Sequence, residues 1–373
     1  MKSSNAPVRN SHLIIALVAA GALATQIAHA QTYTVVELVP NSSASSANSI
    51  ATAAAGYSIY AVAPRTHATL WNSLTQTDLH PAFLDEAVNG IYGSSTVLGS
   101  TDSLQVGWGY GPTLQNRYAP VIWRGTADTA SMLTIPFTNV GGQALATDGD
   151  QIVGYGIGLN SDGTATGPTH AVVWDVATEQ AVDLGDGGNG AQALSVDGGQ
   201  QVGYVIKSVQ NAALWKNSAK SLVVLHPKDA IISVAYGTDG VSQVGYSGYD
   251  VRVRAEATKG NKYRRYNYAM AWFGTAESAV NIHPYPFTHS YAKAINGAWI
   301  VGYATDASNT GTPSINHAIA WDSTYQATDL NTFLPVQFIG AQALSVDDQG
   351  NVAGVAFTAD GVRHAVIWTL NPV

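Results

Sequence analysis

The sequence predicts an all-β protein that folds as one seven-bladed β-propeller. Three observations predict it: a tryptophan motif recurs seven times, a glycine motif recurs seven times, and the two chain ends hold complementary parts of one repeat. Glycine is abundant, with 37 residues, and long helix-forming runs are missing. This composition favours many short strands joined by tight turns.

The first 30 residues read as an export signal. Lys2 and Arg9 give a basic start, Leu13 to Ala24 form a short apolar core, and small residues precede a cleavage site after Ala30. The apolar core is too short to span a bilayer, and no later segment is long enough. We therefore expect residues 31–373 to be one secreted domain without a membrane span, extracellular or periplasmic.

Seven strands end in tryptophan, and seven more end in a glycine placed ahead of them. Val precedes this glycine in five copies and Tyr follows it in five, so the two markers count the same seven units. The tryptophans are Trp71, Trp123, Trp174, Trp215, Trp272, Trp321 and Trp368, and the glycines are Gly56, Gly107, Gly154, Gly203, Gly245, Gly302 and Gly354. We expect the indole to fill the space between adjacent blades and the glycine to let the inner strands approach closely.

Each unit has room for four strands. In the copy from Ala191 to Leu225, strands are predicted at 193–196, 201–205, 212–215 and 222–225, with a hairpin turn at Asp197-Gly198-Gly199. A turn Asp or Asn recurs six residues before the marker glycine, at Asp148, Asp197, Asp239, Asn296 and Asp348. This regularity indicates turn geometry and not chemistry.

The chain ends predict a closed ring. The last copy stops soon after Trp368, too early for a fourth strand, while residues 33–38 match the fourth strand of other copies. Pairing the two would complete blade seven and leave no open sheet edge.

Laid out in this way, the chain resembles the extracellular HAF-repeat family, over nearly the whole mature sequence. That family has a His-Ala-Phe-like tripeptide before Trp, an Asp-Leu-Gly segment and an Asn-x-x-Gly-x-Val-Val-Gly segment. Here they correspond to His170-Ala171-Val172, His317-Ala318-Ile319 and His364-Ala365-Val366, to Asp183-Leu184-Gly185, and to Asp239-Gly240 with Val244-Gly245. Phe is replaced in every copy. The resemblance implies a divergent member with a propeller fold and an unassigned function.

Composition excludes several classes of function. The net charge of −8 provides no positive field for nucleic acid, so no nucleic-acid partner is expected. Cysteine is absent, which removes disulfides and thiolate chemistry. No cofactor, phosphate-loop or metal-protease motif occurs, and we predict no cofactor and no metal. We expect a monomer.

Residues that recur once per blade are expected to be structural. The histidine before Trp recurs at His67, His170, His317 and His364, and it is interpreted as a hydrogen-bonding residue between neighbouring strands. Acidic residues on fourth strands, such as Asp183, are interpreted in the same way, because catalysis uses single residues that break the symmetry.

Copy five breaks the symmetry most clearly. Its distance from glycine to tryptophan is 27 residues, against 12 to 20 elsewhere, and its insertion from Tyr249 to Tyr268 holds six of the 17 basic residues. The predicted ligand-binding residues there are Arg252, Arg254, Lys262, Arg264 and Arg265 together with Tyr263 and Tyr266. Arginine could clamp an anion by paired contacts and tyrosine could stack on sugar rings. The alternative is a solvated hairpin with one charged face.

Three His-Pro pairs follow fourth strands, at His80, His226 and His283. If they converged on one face they could bind a ligand or Zn²⁺, or act as acid and base. The alternative, favoured because copy one lies across the ring and no carboxylate partner is evident, is a turn signal in which Pro ends the strand.

Two functions follow. The first is a non-catalytic protein that binds an anionic polysaccharide or a secreted or envelope protein through loops on one face. The second is a polysaccharide-degrading enzyme of the lyase type, in which an insertion Arg neutralises a uronate and Tyr266 or His283 is the base.

Overall fold

Seven antiparallel sheets of four strands make up the computed structural model, which describes residues 31–39, 43–59, 65–86, 89–159, 166–253, 262–305 and 315–372. The prediction of an all-β propeller with seven blades is confirmed. The predicted export signal, residues 1–30, lies outside the described residues. Strands β19 and β20 include residues 252, 253 and 262, for which only the backbone pairing is described.

The strands run from the ring axis outward in chain order within each blade. Blades one and two hold β2 (Ala44–Ile50), β3 (Ala54–Ile59), β4 (Thr66–Asn72), β5 (Thr75–Asp78), β6 (Ser94–Ser100), β7 (Gln105–Gly111), β8 (Arg117–Trp123) and β9 (Ser131–Met132). Blades three and four hold β10 (Asn139–Thr147), β11 (Gln151–Leu159), β12 (Thr166–Asp175), β13 (Ala181–Gly185), β14 (Ala191–Asp197), β15 (Gln200–Ile206), β16 (Gln210–Trp215) and β17 (Val223–Val224).

The remaining blades follow the same order until the ring closes. Blades five and six hold β18 (Ile232–Thr238), β19 (Gln243–Val253), β20 (Lys262–Trp272), β21 (Val280–Asn281), β22 (His289–Asn296), β23 (Trp299–Thr305), β24 (Asn316–Trp321) and β25 (Ala327–Asp329). Blade seven holds β26 (Phe338–Val346), β27 (Val352–Thr358), β28 (Arg363–Leu370) and β1 (Tyr33–Glu37). Short 3-10 turns occur at Ala82–Leu84, Pro112–Leu114, Ala127–Thr129, Ala219–Ser221, Ala276–Ser278 and Leu330–Phe333.

The N-terminal strand closes the ring as predicted. β1 pairs antiparallel with β28 in a register that runs from Tyr33 opposite Leu370 to Glu37 opposite Val366. The backbone N–H of Leu38 extends this pairing by donating to the carbonyl of Ala365. Blade seven is therefore built from both ends of the chain and presents no unpaired outer β28 edge.

Every innermost strand carries a β-bulge opposite the marker glycine. In blade four, Ala193 pairs with Gly203 and Ser195 with Val202, so Leu194 is the extra residue. A Cβ on Gly203 would overlap the carbonyl oxygen of Gln192, two residues before the bulged Leu194. The corresponding overlap occurs at the other six marker glycines. The close approach predicted for these glycines is confirmed, and it lies beside the bulge in every blade.

The seven marker tryptophans are fully buried, at 0 to 1% exposure. Four of them donate from Nε1 to a carbonyl at the outer part of the preceding blade, as Trp123 does to Leu79 at 2.8 Å and Trp321 to Ile282 at 2.9 Å. The others in this set are Trp174 with Thr134 and Trp368 with Leu330. All seven indoles are packed in the interior as the repeat predicts, and these four also join neighbouring blades by hydrogen bonds.

Two details of the blades differ from the prediction. The fourth strand of blade four covers only Val223–Val224, because the 3-10 turn Ala219–Ser221 occupies the chain just before it. In blade seven the turn role belongs to Asp347 and not Asp348: Oδ1 of Asp347 accepts the backbone N–H groups of Gln349 and Asn351. The turn there is longer, so the six-residue offset selects the wrong neighbour.

Candidate functional site

The antiparallel order of the strands divides the loops between two faces of the ring. Loops that join second to third strands, and fourth strands to the next blade, emerge on one side, which we call the hairpin face. Turns that join first to second and third to fourth strands emerge on the other side, which we call the turn face.

The insertion in blade five is a long hairpin on the hairpin face. β19 and β20 pair without a register shift over eleven residue pairs, from Gln243 opposite Trp272 to Val253 opposite Lys262. This pairing places the predicted site residues Arg252 and Lys262 on the outer part of the hairpin, where only their backbone is described. The tip, residues 254–261 with Arg254 and Lys259, lies outside the described residues.

A row of aromatic rings runs along this hairpin. Tyr249 lies opposite Tyr266, and alternation along β20 puts Tyr268 on the same side of the sheet. The ring of Tyr268 stacks on Tyr249 at 5.9 Å and on Tyr266 at 6.3 Å, measured between centroids. The row continues from Tyr266 to His289, whose ring centroids lie 6.0 Å apart, and the ring of Tyr268 contacts that of His283 at 4.6 Å between centroids. The row thus links the hairpin to the loop before blade six.

Exposed cations lie beyond this row. Arg264 is exposed and lies on the same side of the sheet as Tyr266 and Tyr268. Tyr263, which is 61% exposed, and Arg265 lie on the opposite side. Arg265 Nε lies 3.4 Å from Oδ1 of Asp250, across the hairpin. Both side chains of this pair are about half exposed, so it contributes little to stability and leaves the guanidinium accessible.

The three His-Pro histidines do not converge. His80 lies at the boundary of blades one and two, His226 at that of blades four and five, and His283 at that of blades five and six, where it alone contacts the aromatic row. Each ring Nδ1 meets a buried serine on the first strand of the next blade, at 2.7 to 2.8 Å.

These serines join adjacent blades. Oγ of Ser233 accepts the backbone N–H of Ala212 at 2.9 Å, so its own hydroxyl donates to Nδ1 of His226. Nε2 of His226 in turn donates to the carbonyl of Ala230 at 2.9 Å. Ser290 repeats this arrangement with His283, whose Nε2 donates to Phe287 at 2.7 Å. Both ring nitrogens are engaged, which makes these histidines structural.

His80 has a carboxylate neighbour that the sequence did not reveal. Its Nε2 lies 3.2 Å from Oδ1 of Asp85, and its ring stacks on His67 at 4.2 Å. Burial, followed by the charge of His67, lowers the pKa of His80. Burial also lowers the pKa of His283, as does the charge of His289, against the hydrogen bond to Phe287. Neutral imidazoles are therefore the favoured form at both positions.

The histidines before Trp bond across neighbouring strands, as expected. His67 Nδ1 lies 2.9 Å from Asp78, and His317 Nδ1 lies 2.7 Å from Asp329. His170 pairs with Asp183 in the same way, and His364 with Glu37 of the N-terminal strand at 2.7 Å. The last pair fastens the ring closure.

A second candidate site, which sequence reasoning missed, lies on the ring axis at the turn face. A cavity of about 330 Å³ is lined by the second half of the first strand of every blade, from the bulged residue to the turn; we call it the central basin. The seven bulged residues line it, four of them leucines: Leu98, Leu145, Leu194 and Leu344. The polar ones are Asn48, Tyr236 and Lys293. Bulges re-aim side chains, and here each directs one toward the axis.

Lys293 is the cationic group of the central basin. Its Nζ lies 3.4 Å from the centroid of the Tyr236 ring, a cation–π contact with the adjacent blade. Burial lowers the pKa of Lys293 to about 8. Among the described residues this amine has no hydrogen bond and no ion pair. One sequence signal could have found it: Lys293 falls in the repeat column where four copies have Leu.

Carboxylates surround the opening of the central basin. Asp148, Asp197 and Asp239 line it from the turns of blades three to five. Burial, followed by the charges of Asp148 and Asp239, raises the pKa of Asp197. Oδ1 of Asp148 and of Asp239 also accepts backbone N–H groups of its own turn, which is the role that the sequence predicts.

Comparisons with known proteins concern the fold alone. No family model matches the sequence, and a search of curated proteins finds no match. Among solved structures, an acylaminoacyl peptidase from Pyrococcus horikoshii aligns with a TM-score of 0.53 at 9% identity, over 87% of this chain and 51% of that one. A puromycin-hydrolyzing peptidase from Mycobacterium tuberculosis gives 0.40 at 14% identity, over 79% and 46%. The chain spans about half the length of these proteins.

The described segments contain no apolar helix of the length needed to cross a membrane. They also contain no cluster of three His, Asp or Glu side chains placed to hold a metal ion.

Proposed function

We propose that the protein is a secreted, non-catalytic binding protein that holds an anionic polysaccharide through the hairpin face, with a secreted or envelope protein as the other class of partner. The observation that supports it is the row of stacked rings formed by Tyr249, Tyr266 and Tyr268, with exposed Arg264 and Arg265 on the same hairpin. Stacked rings suit the apolar faces of sugars, and guanidinium groups suit carboxylate or sulfate.

Binding is favoured over the lyase alternative by the state of His283. A base must be free to take a proton, but Nε2 of His283 donates to Phe287 and Nδ1 accepts from Ser290. Of the two bases considered for that alternative, only Tyr266 remains, and its ring is one of the stacked set. A binding surface uses the same residues without requiring a base.

The experiment measures binding of polygalacturonate to the purified mature protein. Arg264→Ala with Arg265→Ala is expected to weaken binding about tenfold or more, because two charge-assisted contacts are lost. The matched control is Lys216→Ala with Lys220→Ala, which removes the same charge from exposed positions on the turn face. Equal binding by the two variants would overturn the proposal.

The same samples separate binding from cleavage. Eliminating cleavage of polygalacturonate produces unsaturated ends that absorb ultraviolet light, and the proposal expects no such absorbance. Its appearance with the mature protein, and its loss in Tyr266→Phe, would favour the lyase alternative instead. Membership in the HAF-repeat family stays a prediction.

A further inference from the structure

We propose that the central basin is a second binding site, independent of the hairpin face, for a small zwitterion of the amino-acid type. The ligand's carboxylate would pair with Nζ of Lys293, its ammonium with Asp197 and Asp239, and its apolar side chain would rest on the leucines of the bulge ring.

The side chain of Lys293 is half-buried in the wall of the basin. A charge that is partly withdrawn from water ordinarily has a carboxylate partner, because leaving it unpaired is costly. Here the Tyr236 ring supports one side of the ammonium at 3.4 Å, and no described residue accepts its protons. An anionic or neutral acceptor within the basin would complete its coordination. The lowered pKa, about 8, still leaves the amine mostly protonated at neutral pH.

The carboxylates at the opening restrict which acceptor can enter. Asp148, Asp197 and Asp239 line the same cavity, and a simple anion would pass them at an electrostatic cost. A simple cation would be attracted at the opening but repelled by Lys293. A molecule that carries both charges satisfies both groups. Tyr236 and Asp239 belong to one strand and turn of blade five, so the cation–π contact brings the amine to the side of the basin that holds this carboxylate.

The volume and the lining of the central basin indicate the size and polarity of the rest of the ligand. A volume of about 330 Å³ is at the lower end of small-molecule pockets, which suits one amino acid and not a polymer. Leu98, Leu145, Leu194 and Leu344, from blades two, three, four and seven, supply the apolar part of the lining. A branched apolar side chain, such as that of leucine, would bury its carbon atoms there.

The test is calorimetric titration of the mature protein with L-leucine and two analogues. L-leucinamide lacks the carboxylate and N-acetyl-L-leucine lacks the ammonium, and we expect each to bind about tenfold more weakly or worse than L-leucine. This series uses the unaltered protein, so it does not depend on the folding of a variant. Absence of L-leucine binding at millimolar concentration, or equal binding of all three compounds, would overturn the inference.

Variants locate the site. Lys293→Met keeps an unbranched side chain one atom shorter and removes the charge, and Asp197→Asn removes one carboxylate; each is expected to weaken L-leucine binding about tenfold. Lys220→Met, on an exposed 3-10 turn, is the matched control and should bind as the parent does. Unchanged L-leucine binding by Lys293→Met would overturn the proposal that the central basin is the binding site. The Arg264→Ala and Arg265→Ala variant should retain L-leucine binding, which keeps this result separate from the outcome for the hairpin face.

Discussion

The marker glycine and the bulge form one structural unit at each blade. In each blade the marker glycine pairs with the residue just before the bulged one, and the carbonyl oxygen of the residue before that occupies the place of a glycine Cβ, as that of Gln192 does at Gly203. The repeat therefore needs glycine because of a close backbone approach and not because of a positive φ. Bulge and glycine occur together in all seven blades.

Gly203→Ala should test this link. The added methyl group meets backbone and not a flexible side chain, so β14 and β15 must separate, and we expect a loss of about 3 kcal/mol or more in the free energy of unfolding. Gly158→Ala is the control, because its Cβ would make only ordinary contacts; it should change stability by about 0.5 kcal/mol or less. Denaturant unfolding followed by tryptophan fluorescence measures both. Equal stabilities would show that the inner strands tolerate the methyl.

The buried histidines predict a dependence of stability on pH. His80 and His283 have pKa values lowered from 6.5 chiefly by burial, so the unfolded chain binds protons more readily than the folded chain just below that pH. Stability should therefore fall as the pH drops through 6.5 toward the folded pKa values, and be unaffected by these groups above it. In His283→Gln the fall in Tm between about pH 7.5 and pH 5.5 should be smaller than in the parent. Identical slopes in parent and variant would contradict the assignment.

At the level of elements, blades are joined by serines as well as by indoles. Ser45, Ser95, Ser233 and Ser290 are each fully buried at the start of a blade and accept a backbone N–H from the third strand of the preceding blade. Three of them also bond to a His-Pro histidine. In the fourth, Ser45, the equivalent position before Pro40 is Val39. The His-Pro pair is thus an optional second partner for an interblade serine.

Ser233→Ala should leave the N–H of Ala212 and Nδ1 of His226 without their partner in a buried boundary. We expect it to lower the free energy of unfolding by about 1–3 kcal/mol. Ser218→Ala in the same blade is the control, because its side chain makes no cap hydrogen bond. Thermal unfolding measures the Tm of the two variants. Equal Tm values for Ser233→Ala and Ser218→Ala would refute a role of Ser233 in joining the blades.

The sequence specifies the elements well and the central basin poorly. Two periodic markers and the orphan strand at Tyr33 predict seven blades and their closure, because glycine and tryptophan have one structural role each. The sequence does not reveal which residue is bulged. Ala292-Lys293-Ala294 has the alternation of a regular strand, so nothing in it marks Lys293 as the extra residue. The partner of His80 was missed for another reason: Asp85 lies in the following loop, and no periodicity connects a loop carboxylate to a ring nitrogen.

For the whole molecule, ring closure rests on a short strand ladder and on side-chain hydrogen bonds between the two ends of the ring. β1 contributes five paired residues, and Glu37 accepts from His364 at 2.7 Å. A chain that starts at Ser43 should lose these contacts and expose the edge of β28, lowering the Tm by about 5 °C or more. A synthetic peptide of residues 31–39 should restore part of the Tm, and a scrambled peptide should not. A shortened chain as stable as the parent would show that closure needs no fourth strand in blade seven.

Because Tyr33 pairs with Leu370, strand β1 of blade seven is synthesised before the strands of any other blade. β1 stays unpaired until β28 has been synthesised, whatever order the intervening blades follow. A polypeptide that lacks β28 leaves the edges of β1 and β27 exposed, and such edges are templates for aggregation. Pairing β1 with β28 thus makes the presence of both strands a condition for a protected native state.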